Sequence, residues 1–200
     1  MFLPKIREIG EALRSFLSAP YTTRFPAVAP VISPAFRGVP RYHAEYCVGC
    51  GTCAQVCPTG AITMEDLPEQ GVRRLTVNFN ACMNCGQCAE KCITQRGIQM
   101  TNEHSFSTPN LQADGQADSI EKELLFCEIC GKPFACRQHL WFIRERLGAK
   151  AYAHPNLLLD TQQMFTPPAR SVVKSRIRRE DQIKIACPLC RHQIVVQDEF

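Results

Sequence analysis

Cysteines at 47, 50, 53 and 57 are followed thirty-five positions later by cysteines at 82, 85, 88 and 92, with no slip in the frame. Gly51, Ala54 and Thr59 recur in the same register as Gly86, Ala89 and Thr94. A period of this kind marks an internal duplication, so the two segments are expected to fold as copies of one small unit. Two ligand chemistries compete for them, structural zinc and iron–sulfur. Zinc is ordinarily held by two separated CxxC pairs, and a third cysteine at i+6 adds a thiolate that such a site does not need. Three cysteines at i, i+3 and i+6 on one tight loop suit three iron corners of a cubane, with Gly51 and Gly86 letting the backbone approach the sulfurs. The fourth corner then needs a ligand from elsewhere in the chain.

Composition narrows the setting. The chain has 200 residues, 13 of them cysteine, and a formal charge of +4. That length suits one ordinary domain or two small ones and excludes a large enzyme with its own substrate cavity. Cysteine at this density replaces part of the hydrophobic core with disulfides or metal. Residues 1–17 are interrupted by Lys5, Arg7, Glu8, Glu11 and Arg14, which leaves no unbroken apolar core of a secretory signal. The thiols are therefore expected to meet a reducing cytosol and to bind metal. The candidate apolar run, Phe25 to Phe36, is short and broken by Pro26, Pro30 and Pro34, so no transmembrane span is expected. Residues 1–43 carry six basic side chains against two acidic ones, while the body is close to neutral. This predicts a basic docking segment and argues against a general nucleic-acid surface.

The CxxCxxCxxxCP run at Cys47–Pro58 resembles that of bacterial two-cluster ferredoxins, in which the fourth cysteine serves the other cluster. The resemblance implies one [4Fe-4S] cluster on Cys47, Cys50, Cys53 and Cys92, and a second on Cys82, Cys85, Cys88 and Cys57. Crossed ligands of this kind tie the halves together and hold the clusters close enough for electrons to pass. One departure is that Ile93, not proline, follows Cys92, which loosens the backbone around a remote ligand of the first cluster. The segments "AITM" and "LTVNF" flank the turn residues "EDLPEQG" and predict a hairpin between the cysteine loops. No general base, nucleophile or phosphate loop stands inside the unit, so its expected chemistry is electron transfer without catalysis of its own.

Two further CxxC pairs, Cys127/Cys130 and Cys187/Cys190, predict a four-thiolate zinc-ribbon-like site. The fifty-six residues between them exceed the usual roughly fifteen to twenty. Loop closure costs rise only slowly with length, so the gap does not exclude the site. Zn2+ is the expected ion, with iron as the alternative because tetrahedral thiolate suits either; buried cysteines without metal are the plainer reading. Cys136 and His139 fall on a predicted helix over 134–148, ending at Gly148, and are read as core and surface residues rather than ligands. Residues 101–120 are polar and turn-rich and read as a linker. The basic residues Arg170, Lys174, Arg176, Arg178 and Arg179 have no interleaved aromatics and read as a solvated face. Near the N-terminus, Phe2, Ile6, Ile9, Leu13 and Phe16 fall on one face of a short helix, followed by a proline-rich segment that is expected to run extended. A stripe of this sort usually packs on protein, and its basic neighbours also suit a membrane surface or a membrane partner.

The motifs "TTRFP" and "FRGVP", followed by the two cysteine runs, resemble the eight-iron ferredoxin subunit shared by respiratory complex I and membrane-bound [NiFe] hydrogenases. The "CEICGKPFA" and "CPLC" pairs are similar to the version found in formate hydrogenlyase and hydrogenase-4 complexes. The expected fold is therefore α+β: an N-terminal amphipathic helix and extended arm over 1–40, a duplicated ferredoxin domain over 41–100, a linker over 101–120, and a zinc-ribbon-like module with a long insertion over 121–200. The resemblance implies an electron relay through two [4Fe-4S] clusters in a peripheral subunit on the cytoplasmic side of a membrane complex. The partners it implies are [NiFe] hydrogenase-like large and small subunits, membrane-arm subunits, and an input ferredoxin or formate dehydrogenase-type protein. Competing readings are the corresponding complex I subunit and a zinc-ribbon nucleic-acid-binding protein with merely structural clusters.

Overall fold

The computed structural model describes residues 5–20, 22, 24, 27–104, 115–164, 173 and 177–196. Helix α1 (Ile6–Leu17) forms where the apolar residues fall at three- and four-residue steps, with Glu8 in its first turn and Arg14 in its last, each complementing the helix dipole. The Glu8 carboxylate accepts the N–H of Lys5 at 3.0 Å, which closes the N-terminal turn. The apolar stripe is open: Ile6 is 89% and Phe16 86% exposed, and no residue of α1 is buried. Phe2 lies outside the described residues. Residues 1–36 form a unit of their own, and the remainder of the chain forms a second.

In the second unit β1 (Pro40–Tyr42) enters the duplicated segment and pairs antiparallel with β4 (Ile98–Met100), which leaves it. Between them, each cysteine loop runs into a four-residue helix, α2 (Thr52–Gln55) or α3 (Gln87–Glu90). Each is preceded by a glycine in the left-handed region, Gly51 at φ 78° and Gly86 at φ 81°. The expected hairpin is present as β2 (Ile62–Leu67) and β3 (Val72–Asn78), with Ile62 opposite Val77. Ile62, Leu75, Val77, Ile98 and Ile120 pack around the buried Cys53 and Cys88, so the hydrophobic core of this lobe is also the inner wall of both cysteine loops.

The stretch read as a linker ends inside a strand. β5 (Ala117–Phe126) pairs with β3 from Asn78↔Ala117 to Val72↔Glu123, and then with β6 (Pro133–Cys136) through Leu124↔Cys136. The result is an antiparallel sheet in the order β2-β3-β5-β6. The alternation in β5 is masked in sequence because two of its inward positions are charged. Asp118 accepts the Tyr42 N–H at 2.8 Å, and Lys122 Nζ donates to the Ala44 carbonyl.

Helix α4 (Arg137–Leu147) ends at Gly148, at φ 54°, as its sequence predicts, but begins three residues later than expected because 133–136 are drawn into the sheet. Cys136 therefore ends a strand and is fully buried, rather than lying on the helix. The long insertion between the CxxC pairs is folded: α4, a 3-10 turn over Gly148–Ala153 and α5 (Pro155–Gln163) enclose a core of Leu125, Leu140, Ala151, Leu157 and Ile185. A second 3-10 turn, Arg179–Ile183, leads to α6 (Pro188–Val196). Of the basic run, Arg170, Lys174 and Arg176 lie outside the described residues.

Asp160 on α5 is 1% exposed and accepts from Trp141 Nε1 at 2.8 Å and Arg137 Nη1 at 3.2 Å, tying α5 to α4. Asp160→Ala removes the acceptor and leaves a half-buried indole N–H unpaired. It is expected to lower stability by about 2–4 kcal/mol, read as a shift in denaturant midpoint followed by Trp141 fluorescence.

Candidate iron–sulfur and metal centres

The duplicated loops enclose two separate cavities. One is walled by Cys47, Cys50, Cys53 and Cys92, and the other by Cys57, Cys82, Cys85 and Cys88. The structure thus brings the eight cysteines together in the two sets expected, each with three cysteines from one loop and the fourth from the other half. The antiparallel β1–β4 pair and the β2–β3 hairpin make the exchange possible by folding the halves back on each other.

The same local device presents each remote cysteine. Cys57 Sγ lies 3.7 Å from Thr59 Oγ1, and Cys92 Sγ lies 3.3 Å from Thr94 Oγ1. Burial pushes the Cys57 thiol up, but the Thr59 hydroxyl and the N–H groups of Ile62, Thr59 and Ala61 outweigh it and leave the thiol below its ordinary value. Burial likewise pushes Cys92 up, and Thr94 with the N–H groups of Thr94, Gly97 and Ile98 brings it down. The repeated threonines seen in sequence therefore act on sulfur. The loop cysteines sit differently: burial pushes Cys53 up to about 12 and Cys88 up to about 11. A set combining buried thiols with donor-stabilised ones is unfavourable as bare thiolates and suits an electropositive centre, which matches a thiolate-ligated iron–sulfur cubane in each cavity.

The first cavity has more hydroxyls around its sulfurs than the second. Thr52 Oγ1 is 3.3 Å from Cys50 Sγ and Tyr42 Oη is 3.9 Å from Cys53 Sγ. Sequence reasoning did not find Tyr42. Its position opposite Ile98 on β1 is what aims it inward, a placement no local motif reveals.

The four remaining paired cysteines also meet. The sulfurs of Cys127, Cys130, Cys187 and Cys190 all lie within 4.8 Å of one another. A tetrahedron with metal–sulfur bonds of about 2.3 Å has edges of about 3.8 Å, so a small contraction completes a zinc geometry. Cys127 and Cys130 sit on the turn between β5 and β6, where Gly131 N–H returns to the Cys127 carbonyl at 2.9 Å. The second pair differs from a ribbon, since Cys187 precedes α6 and Cys190 lies in its first turn rather than on a second hairpin. Glu128 and Ile185 exchange backbone and carboxylate bonds that register the two pairs, at 2.8 Å and 3.2 Å. Buried Asn156 adds a second brace, donating to the Ala186 carbonyl at 2.8 Å and accepting its N–H at 3.2 Å. Burial opposes ionisation of Cys127, yet the N–H groups of Cys130, Cys187 and Ile129 bring it down to about 7. Burial and its neighbours Cys187 and Cys130 push Cys190 up. Four crowded thiols of which one ionises readily form a donor set fitted to a divalent cation. His139 faces neither cysteine cavity, and Cys136 belongs to none of the three sets.

Residues 46–95, which carry both cysteine loops, match the model of the 4Fe-4S dicluster domain. Among relatives, formate hydrogenlyase subunit 6 of Escherichia coli is 29% identical over 140 residues, covering 70% of this chain and 71% of its own length. NADH-quinone oxidoreductase subunit I 1 of Geobacter sulfurreducens is 33% identical over 69 residues, 32% of this chain and 52% of its own. The F(420)H(2) dehydrogenase subunit I of Methanosarcina mazei is 33% identical over 63 residues, 32% of this chain and 36% of its own. This chain thus spans about half and about a third of the last two. Among the described residues no helix is long and apolar enough to cross a membrane.

Hydrogen bonds to sulfur favour the more negative, reduced state of a cubane. Thr94→Val is therefore expected to lower the potential of one cluster, and Thr59→Val that of the other, each by roughly 20–40 mV for the loss of about 0.5–1 kcal/mol. Redox titration followed by electron paramagnetic resonance reads both; equal shifts of both signals in either variant would contradict the assignment.

Proposed function

We propose that this chain is the electron-transfer subunit of a membrane-bound [NiFe] hydrogenase or formate hydrogenlyase-like complex, relaying electrons through two [4Fe-4S] clusters in its cytoplasmic arm. The observation that carries the reading is the pair of cavities with exchanged fourth cysteines, which is a frame for two clusters in close succession. Cys47, Cys50, Cys53 and Cys92 hold the first, and Cys82, Cys85, Cys88 and Cys57 the second. The clusters supply one-electron redox chemistry; the chain's part is to fix their separation, exclude water with Leu75, Val77 and Ile98, and set their potentials through Thr59, Thr94, Thr52 and Tyr42. The C-terminal cysteines hold Zn2+ as a structural ion.

The host is argued from the extent of likeness. The 140 aligned residues shared with formate hydrogenlyase subunit 6 run well beyond the dicluster domain, whereas 69 and 63 residues are shared with the quinone oxidoreductase and F(420)H(2) dehydrogenase subunits. A complex I-like host is the second reading, favoured by the higher identity of those shorter matches. Association with partners is supported by α1, whose Ile6, Ile9, Leu13 and Phe16 are exposed within their own unit. The proposed partners are hydrogenase-like large and small subunits and membrane-arm subunits.

Anaerobic isolation of the native complex, with iron, nickel and zinc counted together, tests this. About eight iron atoms and one zinc per chain, with nickel in a co-purifying subunit, are expected. Quinone-reducing partners without nickel would indicate the second host, and absence of any cubane signal on reduction would end both readings. Ligand exchange has its own check: Cys92→Ala is expected to remove the same resonance as Cys47→Ala, and Cys57→Ala the same one as Cys82→Ala.

A further inference from the structure

The two halves of the repeat are unequal at one backbone position. Adding thirty-five to Gly49 gives Asn84, and both residues adopt the left-handed conformation, at φ 71° and φ 53°. Asparagine tolerates that region, as Asn84 itself demonstrates, so conformation alone does not call for glycine at 49. Space does. A Cβ on Gly49 would lie 2.7 Å from Cys136 Sγ, 3.2 Å from Cys136 Cβ and 3.0 Å from Lys122 Cβ. Cys136 is 0% exposed and paired in the sheet opposite Leu124, so it has nowhere to retreat. The same loop is gripped from a second side: Arg73 Nη1 donates to the Gly49 carbonyl at 3.1 Å, while Asp66 holds the guanidinium in a bidentate pair at 2.6 and 2.9 Å.

Cys136 reaches this place from the C-terminal cysteine pairs. The turn bearing Cys127 and Cys130 leads directly into β6, with Cys127 N–H bonded to the Lys132 carbonyl at 2.9 Å, and Cys136 is the last residue of that strand. Whatever fixes the turn fixes the strand, and the strand fixes Cys136 against the Cys47–Cys50 segment. The equivalent segment of the other half is held differently, by Arg37, whose Nη1 donates to the Cys85 carbonyl at 2.9 Å, while Met83 beside Asn84 is exposed.

We propose that the C-terminal module is a clamp specific to the first cluster. Cys136 and Arg73 are positioning residues for the Cys47–Cys50 segment, and metal at Cys127, Cys130, Cys187 and Cys190 governs retention of the first cluster but not of the second. This rests on the two-cluster reading above. By linkage, the first cluster in turn favours metal in the C-terminal site.

The test uses the full chain with both clusters and zinc in place. Gly49→Ala and Asn84→Ala both place alanine in the left-handed region, but only the first adds a Cβ, and that Cβ meets Cys136. Gly49→Ala is expected to lose about half the iron, the missing resonance being the one lost in Cys47→Ala, while Asn84→Ala retains both resonances. Adding Cys136→Ala to Gly49→Ala is expected to restore the first resonance in part. Additive losses in that double variant, or equal losses in Gly49→Ala and Asn84→Ala, overturn the proposal. Should Gly49→Ala not fold, the wild-type chain decides: stripping zinc with a chelator is expected to make the first resonance decay several-fold faster than the second. Equal decay of the two overturns the clamp while leaving the two-cluster relay intact, whereas absence of two resonances in untreated protein defeats the relay itself.

Discussion

Cys57 and Cys92 each stand in the wall of the cavity that the other half builds, and the rest of the ferredoxin lobe is organised to keep them there. A chain of this size has little apolar volume to bury, and its principal core runs between the two cysteine loops instead of beside them. Val77 and Leu75 are wholly enclosed because they fill the space between two metal-binding loops. Removal of the exchange would leave two open loops of three cysteines, each stabilised by little beyond its own short helix. Binding energy at the cavities is therefore also folding energy for the lobe.

A second economy appears in how polar groups are used near sulfur. Thr59 and Thr94 are small, local and repeated, so each remote cysteine carries its own donor regardless of what surrounds the lobe. Tyr42 and Thr52, by contrast, belong to the first cavity alone. Duplication supplied a symmetric frame, and the asymmetry was laid over it by residues outside the repeated positions. Such a difference would place the two centres at unequal potentials, since potential is set by hydrogen bonds and charge around the sulfurs.

The β2–β3 hairpin, α1 and the end of α4 at Gly148 were legible in the sequence, because each follows from short-range spacing or a single backbone requirement, and the cysteines line the two cavities in the groups that the ferredoxin resemblance implies. What escaped were features decided by distant partners. Residues 117–120 look like linker because Asp118 faces inward to serve the Tyr42 N–H. Cys136 looks helical because its neighbours carry a helical pattern, yet Pro133–Cys136 gain more by pairing with β5. The fifty-six-residue gap reads in sequence as a long insertion with one helix, and Leu140, Leu157 and Asp160 make it a folded layer of its own. The second cysteine pair sits at a helix start, which the motif "CPLC" does not distinguish from a hairpin turn.

β5 joins these observations mechanically. Its first seven residues pair with β3 of the ferredoxin lobe, its later ones with β6, and the next residue along the chain is Cys127. A slip of one residue along β3 would turn Ile120 and Leu124 from the core to solvent and would carry Asp118 away from Tyr42. Register on the cluster side thus sets the position of the first C-terminal cysteine, and the Glu128–Ile185 bonds pass that position on to the second pair. The ferredoxin lobe and the turn bearing Cys127 and Cys130 are consequently joined through one sheet rather than by a flexible connection, and disturbance at either end has a rigid path to the other.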